Sequence, residues 1–161
     1  MNISIRPAAP SDLDGINAVI GSAIDTWGLP ARVRAHSGPM FALSAGELAD
    51  LQALVTIIDA RVCAVATWLG AGESDIPPGA RKAGLLHGLY VAADCHRQGI
   101  GKALLNSVIA RMAADGHDVV STRAQRAAEG FFLSRGFAPF PNEGGDILYP
   151  RRLWRSTVAQ V

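Results

Sequence analysis

Cysteine is scarce in this chain, with only Cys63 and Cys95 among 161 residues. Two thiols are too few for a disulfide scaffold, and no CxxC or similar ligand spacing is present, so no metal site is expected. Both thiols are expected reduced in a cytosol. Cys63 lies in an apolar run and reads as a small buried hydrophobe. Cys95 stands next to His96, as either a reactive thiol or a bystander. An excess of charge of one sign is also missing: 15 basic and 14 acidic residues leave a net charge of +1. Such a balance gives no broad field for nucleic acid or an anionic membrane, so any anion site must be local. No run of about 18 apolar residues occurs, which argues against a membrane span. Met1 to Pro7 has neither a basic start nor a long apolar stretch and does not read as a signal peptide. What is present is a packed globular composition, 49% hydrophobic and 18% charged, with no repeat or low-complexity tract. The length suits one domain spanning 1–161, expected in the cytoplasm.

Ile3-Ser4-Ile5, ending at Pro7, reads as a short strand. Ser11 with Asp14 resembles a capping box opening a helix to about Ala23 or Trp27, with Leu13, Ile16, Ile20 and Ala23 as its apolar stripe. Gly28, Pro30, Gly38 and Pro39 punctuate the next segment, which reads as a loop with room for one helical turn. Ser44 and Glu47 form a second capping box, for a short helix to about Leu51. Ala53–Ile58 and Val62–Leu69 read as an antiparallel hairpin with a loop of about three residues. After a glycine- and proline-rich loop comes a strand over Leu85–Val91. A helix with Leu104, Leu105, Val108, Ile109 and Met112 at helical spacing follows and ends at Gly116. A strand over 118–122, a helix over 124–135 stopped by Gly136, and strands at 137–140 and 147–154 complete the chain. The order predicts an α/β (α+β) fold, with a mixed, mostly antiparallel sheet of about seven strands and about four helices.

The most specific feature is His96-Arg97-Gln98-Gly99-Ile100-Gly101-Lys102, between the strand Leu89-Tyr90-Val91 and a helix start. Successive free amides at a helix N-terminus make an anion site, aided by the helix dipole. Gly99 and Gly101 allow close backbone approach, and Arg97 and Lys102 supply charge. A dinucleotide fingerprint would need glycine where Leu104 stands. A Walker A loop would need glycine at His96 and serine or threonine at Ala103. Both motifs fail, which leaves a structural turn or another phosphate ligand.

Spacing and context here resemble the Gcn5-related N-acetyltransferase (GNAT) superfamily. Its signature is Gln or Arg, two residues, Gly, one residue, then Gly or Ala, after a Leu-x-Val strand and before an amphipathic helix. His96 replaces the first residue, with Arg97-Gln98 following. Downstream, the family's Asn-x-x-Ala-x-x-Phe-Tyr and Gly-Phe correspond in spacing to Gln125-Arg126-Ala127-Ala128-Glu129-Gly130-Phe131-Phe132 and Gly136-Phe137, with Gln125 for Asn and Phe132 for Tyr. Ile5 to Asp12 also looks like the family's first strand and helix. The likeness is strong from Leu85 to Phe137 and weak from Trp27 to Leu51.

The resemblance implies an acyltransferase that uses acetyl-coenzyme A and acetylates the amine of a small acceptor by direct attack in a ternary complex. It implies that His96, Arg97, Gln98, Gly99, Ile100, Gly101 and Lys102 hold the pyrophosphate, that Leu89, Tyr90 and Val91 pair with the pantetheine arm, and that Gln125 and Phe132 contact the cofactor. The Leu89 amide would stabilise the developing oxyanion. His87, on the strand face of Leu89, is the candidate general base, with Glu129, Asp25 or bound water as alternatives. Phe132 cannot act as the acid that tyrosine provides, leaving water, Ser134 or Tyr149. Trp27 and Arg32, with Leu29, Arg34 and His36, are candidates for the acceptor pocket. Arg151, Arg152 and Arg155 read as a solvated strand face. Two other readings stay open: a coenzyme A-binding regulatory or sensory module with little turnover, and an acetyltransferase of proteins or aminoacyl-tRNA. No nucleic-acid or membrane partner is expected. A homodimer through Leu148–Val161 is left open.

Overall fold

The computed structural model describes residues 2–141 and 145–158. Strands β1 (Ile3–Pro7), β2 (Gln52–Ile58), β3 (Arg61–Gly70), β4 (Ala83–Val91), β5 (Val119–Ala124), β6 (Ala138–Pro139) and β7 (Arg151–Ser156) form one mixed sheet in the order β1-β2-β3-β4-β5-β7-β6. Five helices accompany it: α1 (Leu13–Ile24), α2 (Ala31–Phe41), α3 (Ala45–Asp50), α4 (Ile100–Ala114) and α5 (Arg126–Leu133). This is the α/β architecture expected, with one helix more. No described helix is long and apolar enough to cross a membrane.

The backbone divides into two compact units, 1–67 with 88–108, and 68–87 with 109–161. In the first, β1 pairs antiparallel with β2 from Ile3↔Ile58 to Pro7↔Leu54. Helix α1 buries Ile16, Val19, Ile20, Ala23 and Ile24. It seats closely, since a Cβ at Gly15 would lie 2.9 Å from Val62 Cγ2. Leu54, Val55 and Val65 from the strands and Leu104, Leu105 and Val108 from α4 are all but fully buried. Each such side chain contributes roughly 1.5–3 kcal/mol over its exposed state.

In the second unit, β4 and β5 run parallel from Ala83↔Val119 to Leu86↔Thr122. β5 pairs antiparallel with β7 from Val119↔Ser156 to Ala124↔Arg151. The core takes Leu86, Met112, Val120, Phe132, Phe137 and Leu153. A Cβ at Gly84 would lie 2.7 Å from Met112 Sδ, which puts the even positions at the start of β4 against the helix.

Three local expectations are corrected. The hairpin loop is the two residues Asp59 and Ala60, both left-handed at φ 47 and 68. Asp59 is fixed there because it exchanges backbone and carboxylate hydrogen bonds with Asn2. The start of α1 is held by Asp12 rather than Ser11: its carboxylate accepts the Ala9 N–H at 2.7 Å and a two-pronged bond from Arg6. The segment read as a loop is the eleven-residue α2. Pro30 falls at its N-cap, where a missing N–H costs nothing, and Pro39 falls in its last turn. The second capping box stands as read, with Ser44 Oγ accepting from Glu47 N and Glu47 Oε2 from Ser44 N.

Candidate functional site

Between β4 and α4 the chain turns through one 3-10 turn, Ala93–Cys95, and then His96–Gly99. Several hydrogen bonds hold this turn in place. Ala92 N–H donates to Cys63 O at 2.9 Å, and Ala93 N–H to Ser22 Oγ at 2.9 Å. Arg61 grips Asp94 at 2.9 Å and also donates to Cys95 Sγ at 3.1 Å. Gln98 donates to Asp94 O at 3.2 Å. His96 lays Nε2 on Val91 O at 2.8 Å. That nitrogen serves the loop, so the histidine substitution turns the side chain back onto the strand it follows. Arg97 and Gly99 are left-handed, at φ 60 and 75.

The first hydrogen bond of α4 runs from Ala103 N–H to Gly99 O at 3.0 Å. The amides of Ile100, Gly101 and Lys102 precede it and have no intrahelical acceptor. A Cβ at Gly99 would meet nothing within 4 Å. Arg97, Gln98, Gly99 and Lys102 are exposed, while Ile100 is anchored in the core. Unspent donors at the start of a fifteen-residue helix, open space over a glycine and two exposed cations together fit a pyrophosphate.

Strand β4 continues to Val91, but its ladder with β5 ends at Leu86↔Thr122. His87 is exposed and Leu89, Tyr90 and Val91 are half-buried. Tyr90 carries an aromatic pile. Trp27 stacks on it with centroids 6.5 Å apart, and Phe41 meets Trp27 edge-on at 5.5 Å. Burial pushes the Tyr90 phenol up to about 12. Arg32 lies exposed on α2 outside this pile, and Arg34 reaches Asp25 at 3.4 Å. Burial also pushes the Cys95 thiol up to about 11. A thiol held protonated is a poor nucleophile, which favours the bystander reading.

In the second unit, Gln125 is the N-cap residue of α5, yet its side chain makes no capping bond. Phe132 is buried between Phe131 and Phe137 at centroid distances of 5.3 and 5.1 Å. Ser134 Oγ donates to Phe131 O at 2.7 Å and so is already engaged. Glu129 accepts from Arg151 at 3.2 Å, and the Tyr149 ring lies 4.6 Å under the Arg126 guanidinium. Burial, and then the Glu129 hydrogen bond, hold the Tyr149 phenol above its ordinary value.

The Arg61 clamp on Asp94 is not foreshadowed by any pattern in the sequence. Neither is the pair Asp75–Arg123, in which a carboxylate 4% exposed receives Nε at 3.0 Å and Nη2 at 2.5 Å. Nothing local marks either pair, because the partners are 33 and 48 residues apart. A glycine inside a strand does mark a close approach, and Gly88 before Tyr90 was such a signal.

Residues 73–145 match the Acetyltransferase (GNAT) domain family. No curated protein matches the sequence significantly. Among solved structures, the chain is similar to the PaiA N-acetyltransferase of Thermoplasma acidophilum in complex with coenzyme A (16% identity, TM-score 0.76, covering 97% of this chain and 99% of that one). It is similar to a GCN5-related N-acetyltransferase of Ralstonia eutropha JMP134 (21% identity, TM-score 0.72, 91% and 99% covered). It is also similar to a GNAT family acetyltransferase of Brucella melitensis in complex with acetyl-CoA (18% identity, TM-score 0.65, 97% of each chain). At these identities the structures speak for the fold, which this chain shares with GNAT-type acetyltransferases, and the domain match marks residues 73–145 as similar to the acetyltransferase (GNAT) domain.

Proposed function

We propose that this protein is an N-acetyltransferase that moves an acetyl group from acetyl-coenzyme A to the amine of a small molecule. The observation that carries this reading is the turn before α4, with donors unspent at Ile100, Gly101 and Lys102 and open space over Gly99. Relatives of this fold crystallised with coenzyme A or acetyl-CoA support the choice of ligand. When bound, the cofactor supplies an activated acetyl thioester.

The chain's own groups then divide the work. The amides of Gln98 to Lys102, with Arg97 and Lys102, hold the pyrophosphate. Leu89, Tyr90 and Val91 offer strand backbone to the pantetheine arm, and the Leu89 N–H polarises the acetyl carbonyl. His87, exposed on β4, takes the proton from the attacking amine. In the second unit, Gln125 at the N-cap of α5 and the buried Phe132 are the residues that the family resemblance assigns to the cofactor. Trp27, stacked on Tyr90, and Arg32 line the acceptor side. The bond that forms joins acetyl carbon to amine nitrogen, and the bond that breaks is carbon–sulfur. With Phe132 buried and Ser134 occupied, the departing sulfur takes its proton from water or Tyr149.

The buried Phe132 favours one other reading, a coenzyme A-binding module with little turnover. A single experiment separates the two: thermal unfolding with acetyl-CoA, NAD or ATP, followed by thiol release with amines. Acetyl-CoA alone at about 100 times its Kd raises stability by roughly 2.7 kcal/mol in either reading. Thiol release supports the enzyme, and its absence supports the module. No rise with acetyl-CoA overturns both.

A further inference from the structure

We propose that the acceptor amine also carries an oxyanion, a carboxylate in preference to a phosphate, and that Arg123 binds it. This rests on the acetyltransferase reading and names its substrate class. The two strands β4 and β5 are parallel neighbours with Leu85 opposite Ser121 and Leu86 opposite Thr122. His87 and Arg123 each follow the last paired position, two residues beyond a facing pair, and so lie on one face of the sheet. Gly84 on the opposite face points at Met112, which confirms the alternation. Across β7, Arg152 is the direct partner of Arg123.

Arg123 is fixed, yet only on one side. Asp75 is 4% exposed and takes its Nε and Nη2, whereas the Arg123 side chain is 53% exposed. The contacts of Asp75 engage Nε and Nη2 and do not use Nη1. A guanidinium clamped by a buried carboxylate has lost its rotamer freedom in advance, and the Nη1 and second Nη2 hydrogens at its other edge are spaced to meet a carboxylate. Two cations directly opposite on neighbouring strands disfavour each other. Here that cost is met by Asp75 on one and by the Ser74 carbonyl and Phe140 ring on the other. The result is a preorganised guanidinium on the sheet face that also carries the candidate base. It suits an amino acid-like acceptor, whose amine reaches His87 while its carboxylate meets Arg123.

The test compares matched acceptors in thiol-release kinetics: the twenty standard amino acids, their decarboxylated amines, and 2-aminoethyl phosphate. The wild-type protein acetylates a carboxylate-bearing amine at least tenfold more efficiently than its decarboxylated match and than the phosphate. Arg123→Gln raises KM for that acceptor roughly ten- to a hundredfold, as loss of a charge-assisted bond should. It leaves KM for acetyl-CoA unchanged, and Arg123→Lys recovers part of the loss. Because Arg123→Gln strands the Asp75 carboxylate, the double variant Asp75→Asn/Arg123→Gln removes both charges and loses the same preference. Independently of turnover, the Arg123 Nε–H resonance moves with the amino acid and not with the decarboxylated amine. Turnover of decarboxylated amines as good as that of amino acids overturns the inference and leaves the acetyltransferase reading standing. So does acetyl-CoA binding with turnover of no carboxylate-bearing amine in the set. Failure to bind acetyl-CoA at all overturns both.

Discussion

The ring of Tyr90 lies where a side chain on Gly88 would begin: a Cβ built there sits 2.6 Å from Tyr90 Cε2. Both residues are on β4, and Trp27 stacks on the same ring. Gly88→Ala must therefore push the phenol off its seat, at a cost of about 1–3 kcal/mol for overpacking. In a Tyr90→Val background the same substitution should cost far less, and a double-mutant cycle by urea denaturation measures the difference. Equal costs in both backgrounds would show that Gly88 is not needed for the ring.

The sheet was legible in the sequence because alternation and glycine punctuation act locally. The strand–loop–helix from Leu89 to Leu105 was legible for the same reason, since its motif is contiguous. Helix α2 was not legible: it has no buried residue to generate an apolar period, and its prolines occupy the two ends where they are tolerated. The hairpin turn was missed because Ala60 takes a left-handed conformation that its identity disfavours and that tertiary bonds to Asn2 enforce next door. The Arg61–Asp94 and Asp75–Arg123 pairs depend on distant strands, which no local pattern encodes.

The poor anchoring of α2 predicts local opening. Its C-terminal end is tied by Trp27 against Phe41 and by Asn17, which exchanges bonds with the Leu43 backbone at 2.9 and 2.8 Å. Along the helix itself no side chain is buried. Amide exchange over 31–41 should be faster than over α4 and β5 by roughly two orders of magnitude or more, because its opening does not require global unfolding. Protection of α2 equal to that of α4 would refute this.

Asp12 gives an acid-limb prediction. The Arg6 guanidinium, and then the Ala9 amide, hold its carboxyl below the ordinary carboxylate range. A depressed folded value adds stability that is fully present above the unfolded value, about 3.9, and is lost as pH falls through the folded one. Wild type should thus exceed Asp12→Asn in denaturation midpoint at pH 6. The gap should begin to close below about pH 4 and vanish once the folded carboxyl is protonated. A gap independent of pH between 6 and 2.5 would mean that charge plays no part.

Gly99 offers the sharpest separation of ligand binding from folding. At φ 75 any side chain is strained, and a β-branched one by about 1–3 kcal/mol, although a Cβ itself meets no atom within 4 Å. Gly116, just beyond the C-terminal end of α4, has φ 85 and the same open surroundings. Gly116→Val therefore carries a comparable strain with no pyrophosphate to obstruct. Both variants should lose similar stability without ligand. Only Gly99→Val should lose acetyl-CoA binding, with Kd raised at least a hundredfold by calorimetric titration, because the γ-methyls project into the space the phosphates need. Equal affinities in the two variants would move the anion site away from this turn, and with it the groups that the proposed reaction depends on.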